Sequence, residues 1–151
     1  MFIPTAANNI SAIAVLPKCV NDLLNAGILE ENINIFDLHC GMSIEELCKY
    51  DVVYFTGGDP HYLLQRINDT GFNKSLALFV DRGGVYVDVS AGSLIATNSL
   101  SNNLGYINCT LSVHMETGTK NGSIDVSNNP HINLTANNVI LINGDNYQIV
   151  E

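Results

Sequence analysis

The sequence predicts an α/β fold, a mainly parallel sheet with helices on its faces, and three observations carry that reading. Short apolar runs, rich in β-branched and aromatic residues and bounded by polar residues or glycine, recur along the chain as buried parallel strands do. Amphipathic stretches lie between most of them, and right-handed crossovers through such helices give a parallel sheet covered on both sides. At 151 residues the chain is long enough for one sizeable core and short for two ordinary domains, so residues 1–151 are expected to form a single domain.

Taken in order, residues 2–3, 33–36, 52–55, 85–89 and 139–142 read as core strands. Helices are expected over 18–26, where Pro17 suits a first turn, and over 43–49, where Ser43 and Glu46 have capping-box spacing. Further helices fit 62–68, 74–82 and 91–98. In a sheet of this kind ligands gather at the carboxyl ends of the strands.

Composition narrows the function classes. With 46% hydrophobic and 14% charged residues the chain is a packing sequence, not a disordered one. Six Lys and Arg against fifteen Asp and Glu give a net charge of -9, and no basic cluster interrupts it. Nucleic-acid backbones and anionic membranes are therefore repelled. The opening MFIPTAANN lacks signal-peptide features and no eighteen apolar residues run together, which points to the cytoplasm. Cys19, Cys40, Cys48 and Cys109 lack the close pairs of a zinc or redox site and read as free thiols. His39 beside Cys40, with Cys48 further on, also lacks metal-ligand spacing. No metal and no cofactor is expected.

Two segments at strand ends could carry chemistry. The first is Thr56-Gly57-Gly58-Asp59, where glycine allows close backbone approach to a ligand but also suits a simple tight turn. The second is Ser90-Ala91-Gly92-Ser93, a sharp strand-to-helix turn of the nucleophile-elbow type, with Asp88 where G-x-S-x-G has its first glycine. A serine N-cap followed by small residues gives the same pattern. A nucleophilic serine needs a base and usually an acid to orient it. The histidines are His39, His61, His114 and His131. His39 and His61 suit capping or exposed roles, His131 reads as a loop residue, and His114 follows an alternating stretch after the elbow. Asp145 sits in an NGDN turn that a hairpin alone would explain. On the residues alone, catalytic and structural readings both stand.

The stretch DVVYFTGGDPHYLLQRINDTGFNKSLALFVDRGGVYVDVSAGSLIA resembles the serine peptidases that include aspartyl dipeptidase and cyanophycinase, whose fold is similar to that of class I glutamine amidotransferases. Gly57, Gly58, Asp59, Leu63, Leu64, Gly71, Ser90, Ala91 and Gly92 fall into the family pattern. FIPTA extends the likeness more weakly, so that it covers nearly the whole chain with its specific part in the central half. The resemblance implies a three-layer amidotransferase-like fold with Ser90 as nucleophile, Gly58 and Ala91 amides as the oxyanion hole, and Gly57 and Asp59 near the substrate. It implies His114 as base, in a Ser-Val-His context where the family has Asn-Pro-His, and Asp145 where the dipeptidase has a glutamate.

The family carries a further strand ahead of the FIPTA segment, so the chain reads as N-terminally shortened, with an edge that would favour a homodimer. The expected activity is hydrolysis of small peptides, Asp-containing dipeptides among them. The alternative is a catalytically silent domain that binds a small ligand or a protein partner.

Overall fold

A computed structural model describes all 151 residues. It divides into two compact units, Met1–Gly92 and Ser93–Glu151.

In the first unit, strand β1 (Phe2–Ile3) leads through helices α1 (Ile10–Ile13) and α2 (Leu16–Asn25), a 3-10 turn (Glu30–Asn32) and α3 (Ile44–Leu47) to β2 (Val52–Phe55). Helices α4 (Pro60–Asp69) and α5 (Phe72–Asp81) follow, then β3 (Val85–Asp88) and α6 (Ala91–Ile95), which runs across the division. The sheet order is β1-β2-β3 and both pairings are parallel, with Phe2 opposite Tyr54 and Phe55 opposite Asp88. The parallel sheet with crossover helices is the arrangement the alternation predicts.

Local chemistry sets the helix starts. Pro17 occupies the first turn of α2, where its missing N–H costs no helical hydrogen bond. Ser43 and Glu46 form the expected capping box at α3. Gly71, at φ 70°, opens α5 in a left-handed conformation that glycine adopts without steric cost. Phe55, Leu63, Ile67, Phe72, Leu76 and Phe79 are fully buried or nearly so and form the apolar body of this unit.

One expected strand is reduced to a bridge. At residues 33–36 only Ile35 pairs with Phe2, through bonds from Phe2 N–H to Asn34 O at 2.8 Å and from Phe36 N–H to Phe2 O at 2.9 Å. Ile alternates with Asn there, and Ile35 is 69% exposed, so this segment has no second apolar face to bury.

The second unit carries β4 (Thr110–Ser112), β5 (Gly122–Ser123), β6 (His131–Asn133), β7 (Val139–Asn143) and β8 (Asn146–Val150). Strands β4 and β6 pair in parallel, and β5, β8 and β7 form an antiparallel sheet in that order. Residues 139–142, expected as a core strand of the parallel sheet, are instead one arm of the β7–β8 hairpin. A two-residue Gly144-Asp145 connection forces antiparallel pairing, since a parallel partner needs a long crossover. Ile107, Cys109, Leu111, Ile132, Leu134 and Ile149 make this unit's core, with Ile140 and Tyr147 packed against it. No helix in the chain is long and apolar enough to cross a membrane.

Candidate active site

The parallel register of β2 and β3 sets Phe55 beside Asp88, so the two chains leave the sheet side by side. Val89 N–H still bonds Phe55 O at 3.1 Å. The next residue, Ser90, turns into the left-handed region at φ 54°, an uncommon and strained conformation for a residue with a side chain.

Neighbouring groups enforce that bend. A Cβ at Gly92 would stand 2.6 Å from Asp88 Cβ, closer than real contacts allow, and a tight 3.1 Å from Phe55 Cβ. Glycine is therefore the residue that lets the first turn of α6 settle onto the strand end. The Tyr86 hydroxyl adds a tie, donating to Gly92 O at 2.9 Å.

The glycine pair faces the same bend. A Cβ at Gly57 would come within 3.3 Å of Ser90 Cβ and 3.8 Å of its Oγ. Gly58, at φ 142°, has its Cα packed on the Ala6 carbonyl, and a Cβ there would also lie 2.8 Å from Ala7 N. Asp59 N–H bonds the same Ala6 carbonyl at 2.8 Å. The backbone amides of Gly58 and Ala91 donate to no acceptor within the chain. They have the chemistry to receive a developing oxyanion.

Asp59 has a structural task in the fold. Its carboxylate caps α4, accepting from His61 N–H at 2.9 Å and Tyr62 N–H at 3.0 Å. Donation from Tyr62 N–H, aided by Asn8 and by His61, holds this carboxyl below its ordinary range against a smaller opposing effect of burial.

His114 lies in the second unit, two residues past β4, and is again left-handed at φ 59°. The other non-glycine residues in that region are Asn102 and Asn129, a residue type that tolerates it. Asp145 stands exposed at the tip of the β7–β8 hairpin, as the NGDN turn predicts, and its carboxylate bonds nothing in the chain.

The remaining histidines take other places. His131 is not in a loop: it opens β6 opposite Thr110 of β4, so its ring meets Thr110 Oγ1 at 2.9 Å and Ser112 Oγ at 3.2 Å. His39 pairs with Asp37 at 2.9 Å, and His61 is exposed in the first turn of α4. No group of three His, Cys, Asp or Glu side chains is placed to hold a metal ion.

Both arginines are engaged. Arg66 donates to the carbonyls of Leu38 and His39 at 2.7–3.1 Å, and Arg82 reaches Cys48 Sγ at 3.8 Å. Sequence reasoning missed Ala6 and Tyr86 as neighbours of the two turns, and Asp37 as a partner of buried Thr5. The one signal for Ala6 was the weak FIPTA likeness, and the other two carry none that spacing reveals.

Comparison with known proteins follows the same residues. Peptidase family S51 matches residues 1–138. The uncharacterized peptidase Lmo0363 of Listeria monocytogenes is 30% identical over 138 residues, which cover 89% of this chain and 65% of that protein. The uncharacterized peptidase PM1590 of Pasteurella multocida is 24% identical over 99 residues, 66% of this chain and 48% of that one. The chain thus spans less than two thirds of the length of these relatives. A crystal structure of a protein from Listeria monocytogenes EGD-e, provisionally designated peptidase E, matches with a TM-score of 0.73 over 100% of this chain and 84% of its own, at 21% identity. That likeness bears out the α/β, amidotransferase-like fold class, and the family match bears out the resemblance read from the central stretch. The chain belongs to peptidase family S51.

Proposed function

We propose that this chain acts as a serine-type peptidase on small peptides, with Ser90 as nucleophile, His114 as general base, Asp145 as the acid behind the base, and the Gly58 and Ala91 amides as oxyanion donors. The observation that carries the reading is the left-handed Ser90, held on a strand-to-helix bend against Gly57. Strain of this kind persists where its surroundings enforce it and concentrates at active sites. His114 shares it.

In this mechanism His114 takes the hydroxyl proton as Ser90 Oγ attacks the peptide carbonyl. The oxyanion of the tetrahedral intermediate is held by the two amides. His114 then gives its proton to the leaving amine, and water, deprotonated by the same imidazole, releases the acyl group from Ser90.

Preference for an Asp-containing dipeptide follows from the family resemblance. It asks for a cation to grip the side-chain carboxylate, and neither Arg66 nor Arg82 is disengaged for that task.

A fluorophosphonate probe tests the proposal, since it labels only an activated serine. The intact chain is expected to be labelled, Ser90→Ala to be unlabelled, and His114→Ala to react at least ~100-fold more slowly. Equal labelling of Ser90→Ala, or no labelling of the intact chain, overturns the reading.

A further inference from the structure

We propose that the cavity beside the Gly58 turn is a receptor for the free α-ammonium group of a short peptide, with the Asp37 carboxylate as its counter-ion. Its place in a reaction rests on the peptidase reading above; the binding itself does not.

The cavity encloses about 240 Å³ and lies among Thr5, Asn8, Leu16, Asp37 and Tyr62. It is smaller than the ~300 Å³ at which drug-sized sites begin, a size for the end of a peptide and not its length. Ala7 and Asn8 on its wall directly follow Ala6, whose carbonyl meets Gly58 and Asp59, and Asn8 Nδ2 reaches Asp59 Oδ2 at 3.4 Å. The cavity therefore adjoins the proposed oxyanion turn on the carboxyl edge of the sheet.

Asp37 is built into that position. Thr5, 6% exposed, donates its hydroxyl to Asp37 Oδ1 at 2.7 Å and accepts Leu38 N–H at 2.9 Å. The carboxylate is thereby aimed before any ligand arrives. Its other oxygen meets His39 Nε2 at 2.9 Å, yet the Asp37 side chain stays 44% exposed. A carboxylate offers about four acceptor sites, so two bonds leave room for a further donor.

The chemistry selects a cation. No basic residue lines the cavity. Lys18, nearby in sequence to Leu16, has its ammonium on Asp22 at 2.7 Å, and Arg66 is spent on backbone carbonyls. A ligand carboxylate would meet the like charge of Asp37 and be disfavoured, whereas a primary ammonium finds a charge-assisted acceptor, with Leu16 and Tyr62 lining the same cavity.

Binding to the Ser90→Ala chain, followed by NMR or calorimetry, tests this without any turnover. The probes are trialanine, N-acetyl-trialanine and Nα-acetyl-lysine amide, the last carrying only a side-chain ammonium. Trialanine is expected to bind about 10- to 100-fold more tightly than its acetylated form, and the added Asp37→Asn change is expected to erase the difference. Because Asp37→Asn could disturb the Thr5 contact, Asn8→Lys at an exposed loop position gives a second route: a competing cation in the cavity should weaken trialanine by a similar factor. Equal affinity for trialanine and N-acetyl-trialanine, preference for the lysine amide, a preference that survives Asp37→Asn in a folded chain, or no binding of any probe overturns the proposal. Fluorophosphonate labelling of the intact chain fails or succeeds separately, so loss of the peptidase reading and loss of the receptor are told apart.

Discussion

Gly57 lies against Ser90 so closely that a β-carbon on the glycine would stand 3.3 Å from that of the serine. The two residues follow the carboxyl ends of the neighbouring parallel strands β2 and β3, and in the proposed mechanism a substrate carbonyl rests beside their contact.

Glycine substitutions around the bend should follow the space each one lacks. Gly58→Ala is expected to be the most damaging, because φ 142° and the Ala6 carbonyl both oppose a side chain. Gly92→Ala, at 2.6 Å from Asp88 Cβ, should cost about 1–3 kcal/mol. Gly57→Ala should be the mildest in stability while still slowing labelling of Ser90. Urea unfolding of the three variants gives the order, and a different ranking would contradict the packing described.

Backbone strain at Ser90 can be isolated by comparing two inactive variants. Ser90→Gly and Ser90→Ala both remove the hydroxyl, but only glycine relaxes φ 54°. The glycine variant should be the more stable by about 1 kcal/mol, read from chemical denaturation. Equal stability would mean that the bend is not strained.

Asp59 links acid stability to a helix cap. Its folded pKa is depressed, chiefly by Tyr62 N–H, so its contribution is present above the ordinary carboxylate range and lost as pH falls through the lowered value. Asp59→Ala should cost about 1 kcal/mol at neutral pH, and the gap to the unaltered chain should close on acidification. A gap that stays constant down to pH 2 would argue against the cap.

The three residues of the proposed triad should not be equal partners. Ser90→Ala should abolish turnover and His114→Ala should lower kcat by about 10³ or more. Asp145, exposed and without a bond in the chain, is expected to contribute about tenfold or less. A loss as large for Asp145→Asn as for His114→Ala would place the acid in full contact with the base during the reaction.

Thiol accessibility checks the two cores. Cys19 and Cys109 are buried, and burial pushes the Cys109 thiol up to about 11, while Cys40 and Cys48 are exposed. A thiol reagent should therefore modify two cysteines rapidly in the native chain and all four in denaturant. Rapid modification of Cys109 would show that the Ile107–Leu111 core opens readily.

Much of the first unit was legible because its signals are local. Pro17, the Ser43–Glu46 pair, and the glycines beside apolar runs each specify a turn or a helix start within a few residues. The elbow was legible for the same reason. Strand partnership was not, because the runs 33–36 and 139–142 look alike by hydrophobicity and differ in what flanks them: alternating asparagines in the first, a two-residue connection in the second. His131 escaped because its loop-like context, Asn-Asn-Pro, says nothing of the hydroxyls that β4 sets opposite it. Asp37 escaped because its cavity is made by residues more than thirty positions apart in sequence.

The bend at position 90 is dictated by what surrounds it: bare glycines at 57 and 92, the Asp88 stem, the Tyr86 tie. None of these contacts depends on oxygen as the element carried there. The position works as a socket, and a thiol placed in it through Ser90→Cys would stand where the hydroxyl stands, so on the proposed reading the same scaffold is open to either nucleophile and the choice between them is left to one atom.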